Sequence, residues 1–287
     1  MAIFQRAYQG FHGHISSTLR QPWVIFRYAS ADVFSSKLFT AFFVLCFIPP
    51  LVMMCMIYMN YNLEMLSLLN LPLDELITVD ANFFAHWMQI PQMWLVFALV
   101  MFVGPALISP DISSNALPLY LSRPINKTNY VFGKLLVLLV LGSLITWIPA
   151  WLLILFHANL GDQPWLLNNL HIPLASVVSS LIWIICLSML SLAVSAWVKW
   201  KALARLFFFG FIWLSSALGA AIENIFGGWK GSTVSFIDSL DVMVSGLYGV
   251  QSNNSMPSTA SYLFFITVTV LATLLLARKI RAFEVNL

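Results

Sequence analysis

Six long apolar runs, none with an Asp, Glu, Lys, Arg or His in its middle, leave this chain one kind of fold. A run of about 20 apolar residues matches the hydrocarbon thickness of a bilayer as an α-helix. Inside lipid every backbone polar group must find its partner within the segment, so such runs cannot be irregular. The expectation is an all-α integral membrane protein with six transmembrane helices in a single transmembrane domain, residues 1–287. The spans fall at approximately 38–59, 92–109, 131–157, 173–198, 204–223 and 260–278. Composition agrees: 9% of residues are charged and 60% hydrophobic, against about 25% charged in a soluble domain.

The charges between the runs set the topology. With six spans both termini share a side, and 13 of the 14 Lys and Arg fall on it, Lys230 alone lying opposite. Eight of the 11 acids fall on the other side. By the positive-inside rule the termini are expected in the cytoplasm, and the chain is expected to be a multi-pass protein, with a cytoplasmic (inner) membrane as its expected location. The net charge of +3 therefore reflects topology and contact with membrane lipid, and no nucleic acid partner is expected. Residues 1–37 are mixed, with Arg6, Arg20, Arg27 and Lys37, unlike a cleaved secretory signal, so the first span is expected to be kept.

Within that frame several segments carry detail. Residues 1–37 form the cytoplasmic amphipathic N-terminus, where Trp23, Phe26 and Val33 recur at helical spacing beside Arg27, predicting an interface helix. His12 and His14 read as a solvated tail rather than as metal ligands. Pro49-Pro50 predicts a kink in the first span. Met53, Met54, Cys55, Met56 and Met59 have the soft donors that copper(I) takes, with Met53, Cys55 and Met56 the candidate ligands. Gap-filling packing explains the same residues. Three cysteines inside apolar runs give neither a disulfide framework nor a zinc spacing. The fourth span carries Ser176, Ser179, Ser180, Ser188, Ser191 and Ser195, residues small enough for close helix contact. Between Glu223 and Ala260, Phe236, Leu240, Met243, Val244 and Leu247 predict a re-entrant or interfacial helical segment before the last span.

The empty span centres also bear on function. Ion-coupled pumps, voltage sensors and intramembrane enzymes work through ionisable residues at such positions. No H-E-x-x-H or G-x-S-x-G motif occurs, and Gly227–Thr233 lacks the Gly-Lys-Ser/Thr order of a phosphate-binding loop. The chain is therefore not expected to be an enzyme. If it moves anything uphill, another polypeptide supplies the energy through a cytoplasmic contact.

The stretch Ser109–Lys134 is the internal loop large enough to make that contact. Ser109-Pro110-Asp111 reads as a helix start, with a capping side chain, a proline suited to the first turn and an acid at the positive helix end. Pro118 and Pro124 each break the helix beyond that start, and Asn126 or Thr128 can cap the third span. The order Asp111, then Leu119-Tyr120-Leu121-Ser122-Arg123-Pro124-Ile125, then Tyr130-Val131-Phe132-Gly133-Lys134 resembles the cytoplasmic signature of ABC-2 type transporter permeases.

That resemblance implies a permease subunit paired with a second, identical or sister, permease subunit and with two copies of an ABC ATPase. It implies that residues 110–130 form a coupling helix, with Asp111, Asn115, Leu119, Tyr120, Arg123, Pro124 and Lys127 touching the ATPase. No cofactor is expected in this chain, ATP and Mg being bound by the partner ATPase. Spans one, two and five are implied to line the path, on which Trp213, Ser215 and Ser216 are candidates, with Trp147, Trp151 and Trp183 as further wall-facing residues. The expected cargo of export is amphipathic or lipid-like. The alternatives are a non-transporting membrane scaffold or assembly factor, and a permease for copper-related cargo.

Overall fold

The computed structural model describes residues 20–62, 78–114, 126–161, 164–252 and 254–280. Among them there is no strand, and six helical stretches are long and apolar enough to cross a membrane. Of the residues that the sequence singles out, His12, His14, Asn115, Leu119, Tyr120, Arg123 and Pro124 lie outside the described ones.

Helix α1 (Gln21–Phe34) precedes a first span built from two helices, α2 (Lys37–Leu45) and α3 (Ile48–Tyr61). Pro49 and Pro50 fall in the first turn of α3, where an N–H is not needed, and they withhold the donors that Leu45 and Cys46 carbonyls would take in a continuous helix. The expected kink is thus a stop and a restart.

The second span begins with a π-helical turn, Phe83–Gln89, and continues as α4 (Ile90–Ser113). It carries Pro105 and Pro110 inside the helix, and this corrects the helix start expected at Ser109-Pro110-Asp111. The apolar helix runs straight through those residues. Ser109 does not cap its own helix: its hydroxyl donates to the carbonyls of Ser195 (3.1 Å) and Val198 (2.9 Å) at the end of the fourth span. Carbonyls at a helix C-terminus have no intrahelical partner, and a buried serine on a neighbouring span supplies one.

The third span is again double, α5 (Lys127–Ile145) and α6 (Trp147–Leu160), divided at Thr146 just ahead of Pro149. A short helix, α7 (Pro164–Asn168), leads to the fourth span, α8 (His171–Trp197). The fifth is α9 (Lys201–Phe226), and the sixth is α11 (Ser258–Lys279). Between these two lies α10 (Phe236–Tyr248), capped by the Ser235 hydroxyl, which accepts from the Asp238 N–H, and closed by Gly249 at φ +69°. Phe236, Leu240, Met243, Val244 and Tyr248 turn one buried stripe of α10 toward spans four, five and six.

The core is the set of spans two, three and four, whose most apolar windows are 61, 56 and 61% buried, against 22, 17 and 22% for spans one, five and six. The serines of α8 face this core, all six of them buried. A Cβ at Gly104 would collide with Ser191, so α4 and α8 meet at backbone distance there. Trp183 is fully buried and donates its indole N–H to the Met93 carbonyl at 2.8 Å, while packing on Phe236 and Phe265.

Candidate functional site

Tyr130, Gly133 and Lys134 are spaced three and four residues apart in the first two turns of α5, so they share one helical face. That face meets the last turn of α4 on one side and α1 on the other. The Tyr130 hydroxyl donates to the Asp111 carboxylate at 2.6 Å, and Lys134 Nζ lies 3.1 Å from the same oxygen, Oδ2. The ammonium also stands 5.7 Å from the centre of the Tyr130 ring, within cation–π range. Tyr130 is buried, and the charged side chains are only 13% (Lys134) and 17% (Asp111) exposed.

Electrostatics explains why this grouping holds. A carboxylate in the last turn of a helix faces unpaired carbonyls, which is unfavourable for it. Two charge-assisted contacts on one oxygen offset that cost, and each is roughly twice as strong as a neutral hydrogen bond. The result ties the end of span two to the beginning of span three, at the two attachment points of residues 115–125.

Gly133 performs the third task. A Cβ there would come within 2.7 Å of the Ile25 Cβ and 3.0 Å of the Pro22 carbonyl, so α1 is seated directly on α5. Asn129 extends this contact by donating to the Gln21 side-chain oxygen at 2.9 Å. The outer side of α1 carries exposed Trp23, Tyr28, Arg20 and Arg27. Around the clasp the same end of the bundle presents exposed Lys37, Lys127, Lys199, Lys201, Arg278 and Lys279.

Of the expected contact residues, the structure therefore describes two and treats them differently. Lys127 is exposed at the first position of α5. Asp111 is not free to meet a partner through its engaged oxygen, because that oxygen is held by Tyr130 and Lys134. Asn126 stands at the cap position of α5, but its side chain makes no capping hydrogen bond.

The path candidates on α9 are spread over different duties. Trp213 is half-exposed and stacks on Trp94 at 6.4 Å. Ser215 and Ser216 donate back to the Ile212 carbonyl, and Ser216 also accepts from the Ile237 N–H at 3.4 Å, tying α9 to the start of α10. Trp183 sits in the core, against Phe236 and Phe265. Trp151 is part-exposed, and its indole donates to the Pro173 carbonyl at 3.1 Å, fastening α6 to α8. The indole nitrogen of Trp147 is buried without a partner among the described residues.

Met53, Cys55 and Met56 do not converge. Met53 turns into the bundle, Met56 is part-buried, and Cys55 points outward on α3. Met53 and Met56, three apart, share a face, but Cys55, two residues from Met53, lies on nearly the opposite face and does not join them. Among the described residues no group of three or more His, Cys, Asp and Glu is placed to hold a metal.

Sequence reasoning misses Arg205. Charge counting makes it one more topology-setting cation, yet its Nη2 donates to the Phe102 carbonyl in the second span at 3.0 Å, with the guanidinium 5.8 Å from the Phe102 ring. The available signal is Pro105, which interrupts the α4 hydrogen-bond ladder and loosens the carbonyls about one turn before it. No protein-family model matches the chain, and no curated protein matches it either.

Proposed function

We propose that this chain is the permease subunit of an ABC-2 type transporter in a cytoplasmic membrane, exporting an amphipathic or lipid-like substrate. Energy comes from two copies of a separate ABC ATPase, which bind ATP and Mg, and a second permease subunit completes the path. In this reading residues 110–130 are the coupling region, α1 lies along the cytoplasmic lipid interface, and α10 is the re-entrant segment.

The observation that carries the reading is the clasp of Asp111, Tyr130 and Lys134. A loop that only connects two spans has no need of a braced base. A loop that receives a push from an ATPase does, because motion at its tip must reach spans two and three instead of being absorbed at its attachment points. The signature residues Tyr130, Gly133 and Lys134 serve that brace, and the surface for docking is then Leu119, Tyr120, Arg123 and Lys127. The uncharged span centres favour the same reading, since they supply no other source of power.

Co-purification with the ABC ATPase and ATP-driven movement of a labelled lipid in proteoliposomes test this. Replacing Arg123→Glu together with Lys127→Glu, which leaves the clasp intact, abolishes both if the reading is right. Undiminished binding and transport in that double variant contradict it.

A further inference from the structure

Arg205 is in the second turn of α9, at the basic end of the bundle, and no carboxylate among the described residues pairs with it. A charge carried into a membrane span is costly unless a partner or water reaches it. Long cations usually escape by extending to the surface. Arg205 is prevented from doing so, because Nη2 is pinned to the Phe102 carbonyl and Nε is buried with no hydrogen-bond partner among the described residues.

Arg205 borders a cavity of about 340 Å³, a size typical of small-ligand pockets. The cavity lies where the end of α1, the start of the first span, the middle of α4 and the start of α9 meet. Its walls are mainly apolar, with Phe39, Phe42, Phe102 and Leu107, and Asp32 joins them from the end of α1. The Asp32 carboxylate makes no hydrogen bond or ion pair among the described residues, and it does not pair with Arg205. One cavity is thus bordered by a cation and an anion that have no ionic partner among the described residues and do not pair with each other, beside aromatic walls.

We propose that this cavity binds the headgroup of a zwitterionic phospholipid with a primary ammonium, of the phosphatidylethanolamine type. The phosphate meets Arg205, whose guanidinium fork matches phosphate oxygens. The ammonium meets Asp32, and the upper acyl chain lies on Phe39, Phe42 and Leu107. An anionic lipid satisfies Arg205 but leaves its headgroup facing Asp32. A choline headgroup carries the charge without N–H donors for the carboxylate. The site stands apart from the permease reading, since it concerns lipid held by this chain alone.

Native mass spectrometry of the purified full chain, delipidated and then offered equimolar phosphatidylethanolamine, phosphatidylglycerol and phosphatidylcholine, tests it. The wild type is expected to retain phosphatidylethanolamine in preference to the other two. Arg205→Gln loses that adduct by at least about tenfold, as truncating a partner of a desolvated charge pair does. Asp32→Asn, an exposed position whose side chain supports nothing else, keeps phospholipid binding but loses the preference for the ammonium headgroup. Equal retention by Arg205→Gln overturns the proposal. So does a wild type that takes phosphatidylglycerol or phosphatidylcholine as well as phosphatidylethanolamine, or an Asp32→Asn variant with unchanged preference.

Discussion

Two ion pairs occur among the described residues, and the second span carries one at each of its ends. His86 and Asp111 are separated by about 38 Å of helix at 1.5 Å per residue. At the basic end, Asp111 and Lys134 are 3.1 Å apart, mostly buried, and reinforced by Tyr130. At the other end, His86 Nε2 is 3.7 Å from Asp241, both side chains are about a quarter exposed at 25 and 26%, and the pair carries charge on both members only when the histidine is protonated. His86 Nδ1 is buried without a hydrogen-bond partner among the described residues as well. The two pairs differ in what surrounds them: the first is itself the buried joint, whereas the second is half-open beside a buried joint made by Gln89, which accepts from the Tyr248 hydroxyl of α10 at 3.2 Å and donates to Ser180 at 2.6 Å.

The contrast can be broken at its strong end first. Asp111→Lys sets two ammoniums against each other where both side chains are mostly buried, and it is expected to cost about 3 kcal/mol. The thermal midpoint of the full chain in detergent reads that loss, and Asp111→Asn, which keeps an acceptor for Tyr130, falls between variant and wild type. Gly133→Val comes next, at about 1–3 kcal/mol, because its branches meet the Pro22 carbonyl and Ile25 with no room to spare. Limited proteolysis should then cut within α1 faster than in the wild type.

Tyr130→Phe removes one donor to Asp111 while keeping the ring under Lys134, and it is expected to lower stability by about 1.5 kcal/mol in the same thermal assay, the low end for a bond to a charged group. His86→Ala, which removes the longer and more exposed pair, should change the midpoint least, by less than about 1 kcal/mol. If His86→Ala proves as damaging as Asp111→Lys, the two pairs brace the span equally and the contrast disappears.

Much of the fold is legible in the sequence because lipid leaves few choices. Long uncharged runs have to be helices, and the α10 stripe announces itself by the helical spacing of Phe236, Leu240 and Met243. Local punctuation inside a span is where such reading fails. Ser109-Pro110-Asp111 reads as a helix start wherever a loop precedes it, yet here an apolar helix precedes it and a neighbouring span uses the serine instead. The break at Thr146 escapes a reading by hydropathy, though Pro149 signals it. Cross-span partners are beyond any local pattern: nothing in the order of residues says that Asp111 meets Tyr130 and Lys134, or that Arg205 meets Phe102. In sequence the signature reads as a surface for a partner, whereas Tyr130, Gly133 and Lys134 within it hold the chain's own helices together.

The most direct measurement of the central claim is a photo-crosslink. A light-activated residue placed at Tyr120 or Arg123 in the full chain, irradiated in native membranes, reports by mass spectrometry which molecules touch residues 115–125. The account predicts an adduct with a soluble ATPase carrying a phosphate-binding loop, and predicts that Asp111→Lys leaves the adduct but uncouples ATP hydrolysis from transport. Adducts only with lipid, or with proteins lacking any nucleotide-binding motif, contradict it.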